Sequence, residues 1–328
     1  MKNFLLSLSI LLLFSCEPSL HENVVKVSTM GTTGTIKYIS KIPVAYQTEI
    51  DSLFIAVNMS LSTYIDSSTI SRFNKKEISL IEAAESDVFF KGNLIAAMKV
   101  AEETQYLFNP AIMPLVNYWK VQNKQKESFQ LTIDSLFIDS IVQFINTPKT
   151  TNKQLDFSAL AKGYGVDIIA LFLEEKGIEN YMVEIGGEVH CKGVNSKNTN
   201  WKIGIEEPNE KERNLYQVVN VKDKSMATSG NYRNFKVLDS GQKIVHIINP
   251  KTGYPEISNL LSASIVTDNC MEADAYATAC MVMGTEKCFD FILTQEKLEC
   301  YLIYSDENGQ LQTKISEGFK PYLVHHEK

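Results

Sequence analysis

The chain has 328 residues, of which 44% are hydrophobic and 22% charged, and its formal net charge at pH 7 is −7. That balance fits an ordinary globular body of one large domain or two intimately packed ones. The acidic excess excludes nucleic acid as a partner, because phosphate backbones require clustered Lys and Arg.

Met1-Lys2-Asn3 is a short basic start, and Phe4–Phe14 is an apolar run broken only by Ser7 and Ser9. The run is shorter than the about 20 residues that a membrane-spanning helix needs. It has the form of the apolar region of a secretory signal. Leu13-Phe14-Ser15-Cys16 then resembles a bacterial lipobox, although Phe14 is bulkier than usual there. Residues 1–15 are therefore expected to be a lipoprotein signal peptide with Cys16 the lipidated residue. Residues 16–25 are expected to be a tether, 26–322 the folded domain and 323–328 a tail. The protein is expected to be exported and lipid-anchored to a bacterial membrane, facing the periplasm. An ordinary signal peptide with an incidental cysteine is the alternative.

Val24–Val27 and Thr35–Ile39 read as strands flanking Met30-Gly31-Thr32-Thr33-Gly34. Ile50, Leu53, Phe54, Val57 and Leu61 follow helical spacing, as do Val88, Leu94, Met98 and Ala101,. A third helix is predicted from Ser158 to Glu175, with Gly177 near its end. Strands follow at 181–185, 188–192, 201–206, 217–221, 235–238 and 243–248, separated by turn residues,. A strand at 261–267, helices near 271–283 and 285–294 and a strand at 301–304 close the series. The pattern is mixed α+β with long antiparallel stretches and no clean linker. Five cysteines besides Cys16 carry no CxxC spacing, so they are expected mostly as small core hydrophobes,.

Two distant segments make chemical sense together. Asp156–Asp167 and Met271–Thr278 each read as the mouth of a helix, and together they offer an acid, a cation, a hydroxyl and open backbone carbonyls. Magnesium on a pyrophosphate needs that equipment, since it prefers oxygen ligands and keeps substrate phosphates in its shell. Asp274 and Thr278 are four apart and share a helix face. The same spacing also suits a capping aspartate and a packed threonine, so spacing alone leaves both open. Gly186-Gly187, Met30-Gly31-Thr32 and Thr228-Ser229-Gly230 are either phosphate-cradling or plain turns, and no GxxxxGK[ST] loop occurs,. Of five histidines, only His190 and His246 lie inside the predicted fold, and either a proton relay or a structural role suits them,.

These signals occur in an order that resembles the ApbE family of FAD:protein FMN transferases. The resemblance runs from about Lys26 to Tyr322. It includes Met30-Gly31-Thr32, Ser62-Thr63-Tyr64, Ser71-Arg72-Phe73-Asn74, Phe108-Asn109-Pro110, Pro114–Trp119, Asp156–Asp167, Gly186-Gly187, Thr228-Ser229-Gly230, His246–Gly253 and Glu272–Thr278. It implies an ApbE-like α+β fold related to the tunnelling fold, built as a single catalytic unit. It also implies magnesium-dependent transfer of the FMN half of FAD to an acceptor threonine, with release of AMP. The implied metal ligands are the Ala159 carbonyl, Asp274 and Thr278. FAD is implied to meet Met30, Tyr64, Leu107, Phe108, Asn109, Asp156, Lys162, His246 and Ile248. His246, Asp274 and Lys162 are the implied catalytic groups, with His246 first candidate for the base. The implied acceptor is a subunit of a membrane redox pump or a related flavoprotein.

Three positions depart from the family pattern: Asn109 for Asp, Ala111 for Thr and Asn249 for Asp. Family members that hydrolyse FAD to FMN and AMP tend to carry Asn where Tyr64 stands, which favours transfer. A non-catalytic flavin-binding lipoprotein and a structural envelope lipoprotein are rivals of other classes. The former leaves the metal positions without a purpose, and the latter leaves the ordered motifs unexplained.

Overall fold

A computed structural model describes residues 20–124, 135–146, 153–209, 214–231, 235–237, 243–245, 247–256 and 258–324. The chain opens with β1 (His21–Thr29) and β2 (Thr32–Ser40), joined at Met30-Gly31. Both turn residues take positive φ, 51° and 74°, which is the twist a tight hairpin favours. Five helices follow: α1 (Gln47–Leu61), α2 (Thr69–Asn74), α3 (Leu80–Ser86), α4 (Val88–Glu103) and α5 (Met113–Lys124). Next come α6 (Ser135–Ile145) and α7 (Ala161–Glu175). The strands β3 (Tyr181–Ile185), β4 (Glu188–Lys192), β5 (Trp201–Glu206), β6 (Leu215–Val221), β7 (Lys224–Gly230), β8 (Phe235–Val237), β9 (Lys243–Val245) and β10 (Leu260–Thr267) continue the chain. It closes with α8 (Cys270–Met283), α9 (Thr285–Leu293), β11 (Glu299–Ser305), β12 (Leu311–Ile315) and a 3-10 turn at Glu317–Tyr322.

Eight strands form one antiparallel sheet in the order β1-β2-β3-β4-β7-β10-β11-β12. Helix α7 packs on β3 and β4, and α8 on β7 and β10. The opposite face of the centre is closed by the β5–β6 hairpin, where Trp201, Ile205, Val219 and Val221 pack with Val189, Cys191 and Met226. Period-two alternation explains how one strand serves both layers. Val189 and Cys191 of β4 face the hairpin, so Glu188 and His190 face α7.

Several expectations change. Residues 21–25, read as the end of a tether, are already paired strand, because Asn23 donates to the Ser40 hydroxyl at 2.7 Å and His21 registers with Ser40. Leu323 and Val324 of the expected tail bond to β6. The segment Thr228-Ser229-Gly230, left open between a phosphate cradle and a turn, is the end of strand β7 in mid-sheet. Helix α7 starts at Ala161 rather than Ser158, because Ser158 donates its amide to the Asp156 carboxylate in a separate turn. Ile248 lies beyond β9, in an isolated bridge with Pro255. Cys280 and Cys288 form a disulfide that ties α8 to α9, whereas Cys191, Cys270 and Cys300 are free and buried. Cys16 and the signal segment lie outside the described residues.

Candidate active site

Helix α8 is unusual in being buried along almost its whole length. Ala273, Ala275, Ala277 and Ala279 are all core residues, so the helix reaches the sheet and α7 closely. Its start is fixed twice. The Asn269 side chain accepts the Glu272 amide at 2.8 Å, and the Asp167 carboxylate of α7 accepts the amides of Cys270 and Met271, each at 2.8 Å. Side-chain oxygens satisfy the amides that a helix start leaves open. Burial pushes the Asp167 carboxyl up to about 7 despite those two bonds. The two helices touch at Gly163, where a Cβ would lie 2.2 Å from the Cys270 carbonyl oxygen.

That crossing places Asp274 against the first turn of α7. The Gly163 amide donates to Asp274 Oδ2 at 3.1 Å, and Lys162 Nζ lies 3.2 Å from both Asp274 oxygens. Lys162 is also 3.3 Å from Glu188 Oε1, at the start of β4. Glu188 stands opposite Ile185, on the face that Ile185, Val183 and Tyr181 turn to α7. Among the described residues its Oε2 is buried with no hydrogen-bond partner.

Burial works against the Lys162 ammonium, yet Asp274 and Glu188 together outweigh it and hold its pKa above the ordinary lysine value. The two acids shift upward instead. Burial pushes Glu188 up to about 8, and raises Asp274 as well, against the pull of Lys162. The directions are compatible: the lysine enjoys two acids, while each acid has only a share of one lysine. The trio is therefore short of positive charge.

The trio lines a cavity of about 830 Å³, within the size range of small-molecule sites. Met30, Tyr64, Leu107, Phe108, Asn109, Asp156, Ala159, Lys162, Ile248, Asp274 and Thr278 all line it. The residues implied by resemblance are thus brought together, except His246, which lies outside the described residues; its neighbours Ile247 and Ile248 are cavity wall. The Thr278 hydroxyl lies 3.3 Å from Ser229 at the end of β7. Tyr64 is 82% exposed at the rim, with Lys120 Nζ 4.9 Å from its ring centroid. Among the described residues no three His, Cys, Asp or Glu side chains converge. A cation here would need mixed oxygen donors.

Sequence reasoning missed Glu188. Its only signal was a carboxylate directly after Gly186-Gly187, and a strand start explained it as well. Asn74 was noted but its part was not: it exchanges hydrogen bonds with the Leu155 backbone at 2.7 and 2.8 Å, fixing the segment that carries Asp156. His190 is no relay. Its Nδ1 pairs with Ser225 at 2.7 Å, and burial lowers its pKa.

The ApbE family model matches residues 30–302. The chain belongs to the ApbE family. An FAD:protein FMN transferase of Vibrio cholerae is 35% identical over 98% of this chain and 99% of its own length. One from Escherichia coli K12 is 30% identical over 85% and 80%. The solved flavin transferase ApbE from Vibrio cholerae superposes with a TM-score of 0.77 at 31% identity, covering 93% of this chain and all of that one. The apo flavinyl transferase ApbE of Pseudomonas stutzeri gives a TM-score of 0.76 at 23% identity, which shows the shared ApbE fold.

Proposed function

We propose that this chain transfers the FMN half of FAD to a threonine hydroxyl of an acceptor flavoprotein, with magnesium on the diphosphate and AMP released. The observation that carries this reading is the trio of Lys162, Asp274 and Glu188 in the wall of a cavity of about 830 Å³. Two buried carboxylates share one ammonium, so ionising both of them calls for a further cation, and a divalent metal supplies it. The donor set fits: the Asp274 carboxylate, the Thr278 hydroxyl and the Ala159 carbonyl are the hard oxygens magnesium takes, leaving room for phosphate oxygens.

Bound there, magnesium supplies Lewis-acid neutralisation of the diphosphate charge. Lys162 adds a fixed positive charge beside the phosphates, worth most in a site that excludes water. The Gly163 amide and Asp167 hold Asp274 in register with Lys162. The acceptor hydroxyl oxygen forms a bond to the phosphorus on the FMN side. The bond from that phosphorus to the bridging oxygen breaks, and the bridging oxygen leaves with AMP. We assign the hydroxyl proton to His246, and a general base of this kind gives about 10²–10⁴-fold. Tyr64 at the rim, where family members that hydrolyse FAD tend to carry Asn, supports transfer over hydrolysis.

The proposal extends to location: Cys16 carries the lipid, the domain faces the periplasm, and the acceptor is a membrane redox-pump subunit or related flavoprotein there. The test is incubation with FAD, magnesium and such an acceptor, followed by a denaturing gel. A fluorescent acceptor band with AMP is the expected result. AMP and free FMN without a labelled band would make the chain a pyrophosphatase, and unchanged FAD would make it a carrier.

A further inference from the structure

We infer that Glu188 is a positioning residue that draws the Lys162 ammonium off Asp274, leaving that carboxylate open to a divalent cation. The inference rests on the magnesium reading above. Lys162 Nζ lies almost midway, 3.2 Å from Asp274 and 3.3 Å from Glu188. An ammonium has three protons to donate and no acceptor. Were Asp274 its one partner, a cation arriving at Asp274 would leave the half-buried ammonium without a carboxylate, and breaking a pair whose acid is buried is costly. Glu188 gives the ammonium a second partner within the same contact distance.

The unpartnered Oε2 of Glu188 is the second observation. A buried polar atom without a partner requires an explanation. Here it supplies an acceptor for Lys162 once the lysine leaves Asp274, so that the ammonium can bridge both Glu188 oxygens. The turn before β4 runs beside that oxygen. Gly186 takes φ 63°, and a Cβ there would lie 2.8 Å from Thr32 Cγ2 and 3.4 Å from Glu188 Oε2.

Magnesium-dependent FAD binding, read as flavin fluorescence quenching without turnover, tests this in four proteins: wild type, Glu188→Gln, Lys162→Met and the double variant. Glu188→Gln is expected to raise the half-saturating magnesium concentration about tenfold or more, the usual cost of losing a residue that orients a ligand. In the Lys162→Met background the same change is expected to do nothing, because Glu188 acts through the lysine. No shift in the wild-type background overturns the inference. An equal shift in both backgrounds also overturns it, by making Glu188 a cation ligand itself. If the amide variant does not fold, Glu188→Asp, which keeps the charge on a shorter arm, is expected to shift the magnesium requirement only while Lys162 is present. A wild type that binds FAD without regard to magnesium sinks the magnesium reading and this inference with it.

Discussion

At residue scale the decisive group is Asp274, buried to 2% exposure and yet lining the cavity. Asp274→Asn keeps the shape and removes the charge. Magnesium-dependent FMN transfer is expected to fall about 10²–10³-fold, the cost of losing one preorganised electrostatic group. A thermal melt should show the fold retained. Transfer at the normal rate would remove Asp274 from the chemistry. Asp167 carries a pH prediction. Its folded-state pKa of about 7 lies above the ordinary aspartate value of 3.8. The folded state therefore holds the proton more tightly, and the contribution to stability is fully present below about pH 4 and lost as pH rises through 7. The Tm advantage of wild type over Asp167→Asn should shrink across that window, and a growing advantage would contradict it.

The family departures also become intelligible at this scale. Asn249 donates its side-chain amide to Glu256 at 2.7 Å, and a carboxylate there would face a like charge. Asn109 accepts the Ala111 amide at 2.9 Å and donates towards the Ile145 carbonyl at 3.5 Å. Neither partner is visible in a sequence, because Glu256 and Ile145 are brought in by the fold. Glu188 was illegible for the same reason: only the packing of β4 on α7 gives it a lysine.

At element scale the site depends on the crossing of α7 and α8. Gly163→Ala would set a methyl group against the Cys270 carbonyl, with Cys270 carbon at 2.6 Å and Met271 Cα at 2.8 Å behind it. Backbone cannot rotate aside as a side chain does, so the helices must separate. A loss of about 1–3 kcal/mol is expected from such overpacking, read as a lower denaturation midpoint, together with weaker transfer activity. An unchanged midpoint would mean the crossing is loose. The hairpin of β3 and β4 was readable because its apolar residues alternate around two glycines. Strand β7 was not, because Ser225, Thr228 and Ser229 look like turn material. They fit in mid-sheet because neighbours satisfy them: buried Ser225 with His190 and half-buried Thr228 with Ser264, both at 2.7 Å. Helices α5 and α6 escaped notice as well, since the apolar periodicity of each is short.

At the scale of the molecule, the chain enters the body at the outer edge of the eight-stranded sheet, where β1 begins at His21. If Cys16 carries a lipid, few residues separate the membrane surface from the domain. Cys16→Ala in the full chain is expected to move the protein from the membrane fraction to the soluble fraction while leaving FMN transfer to a soluble acceptor intact. Retention in the membrane fraction would refute the anchor.

Lys162, Glu188 and Asp274 arrive from a helix, a central strand and a late helix, and no continuous stretch of chain holds two of them close together. A polypeptide still being synthesised therefore lacks Asp274 and Thr278, and with them the complete site, until α8 has docked. If residues 1–15 direct export before folding, the site is first assembled on the far side of the membrane, away from the flavin of the compartment where the chain is made.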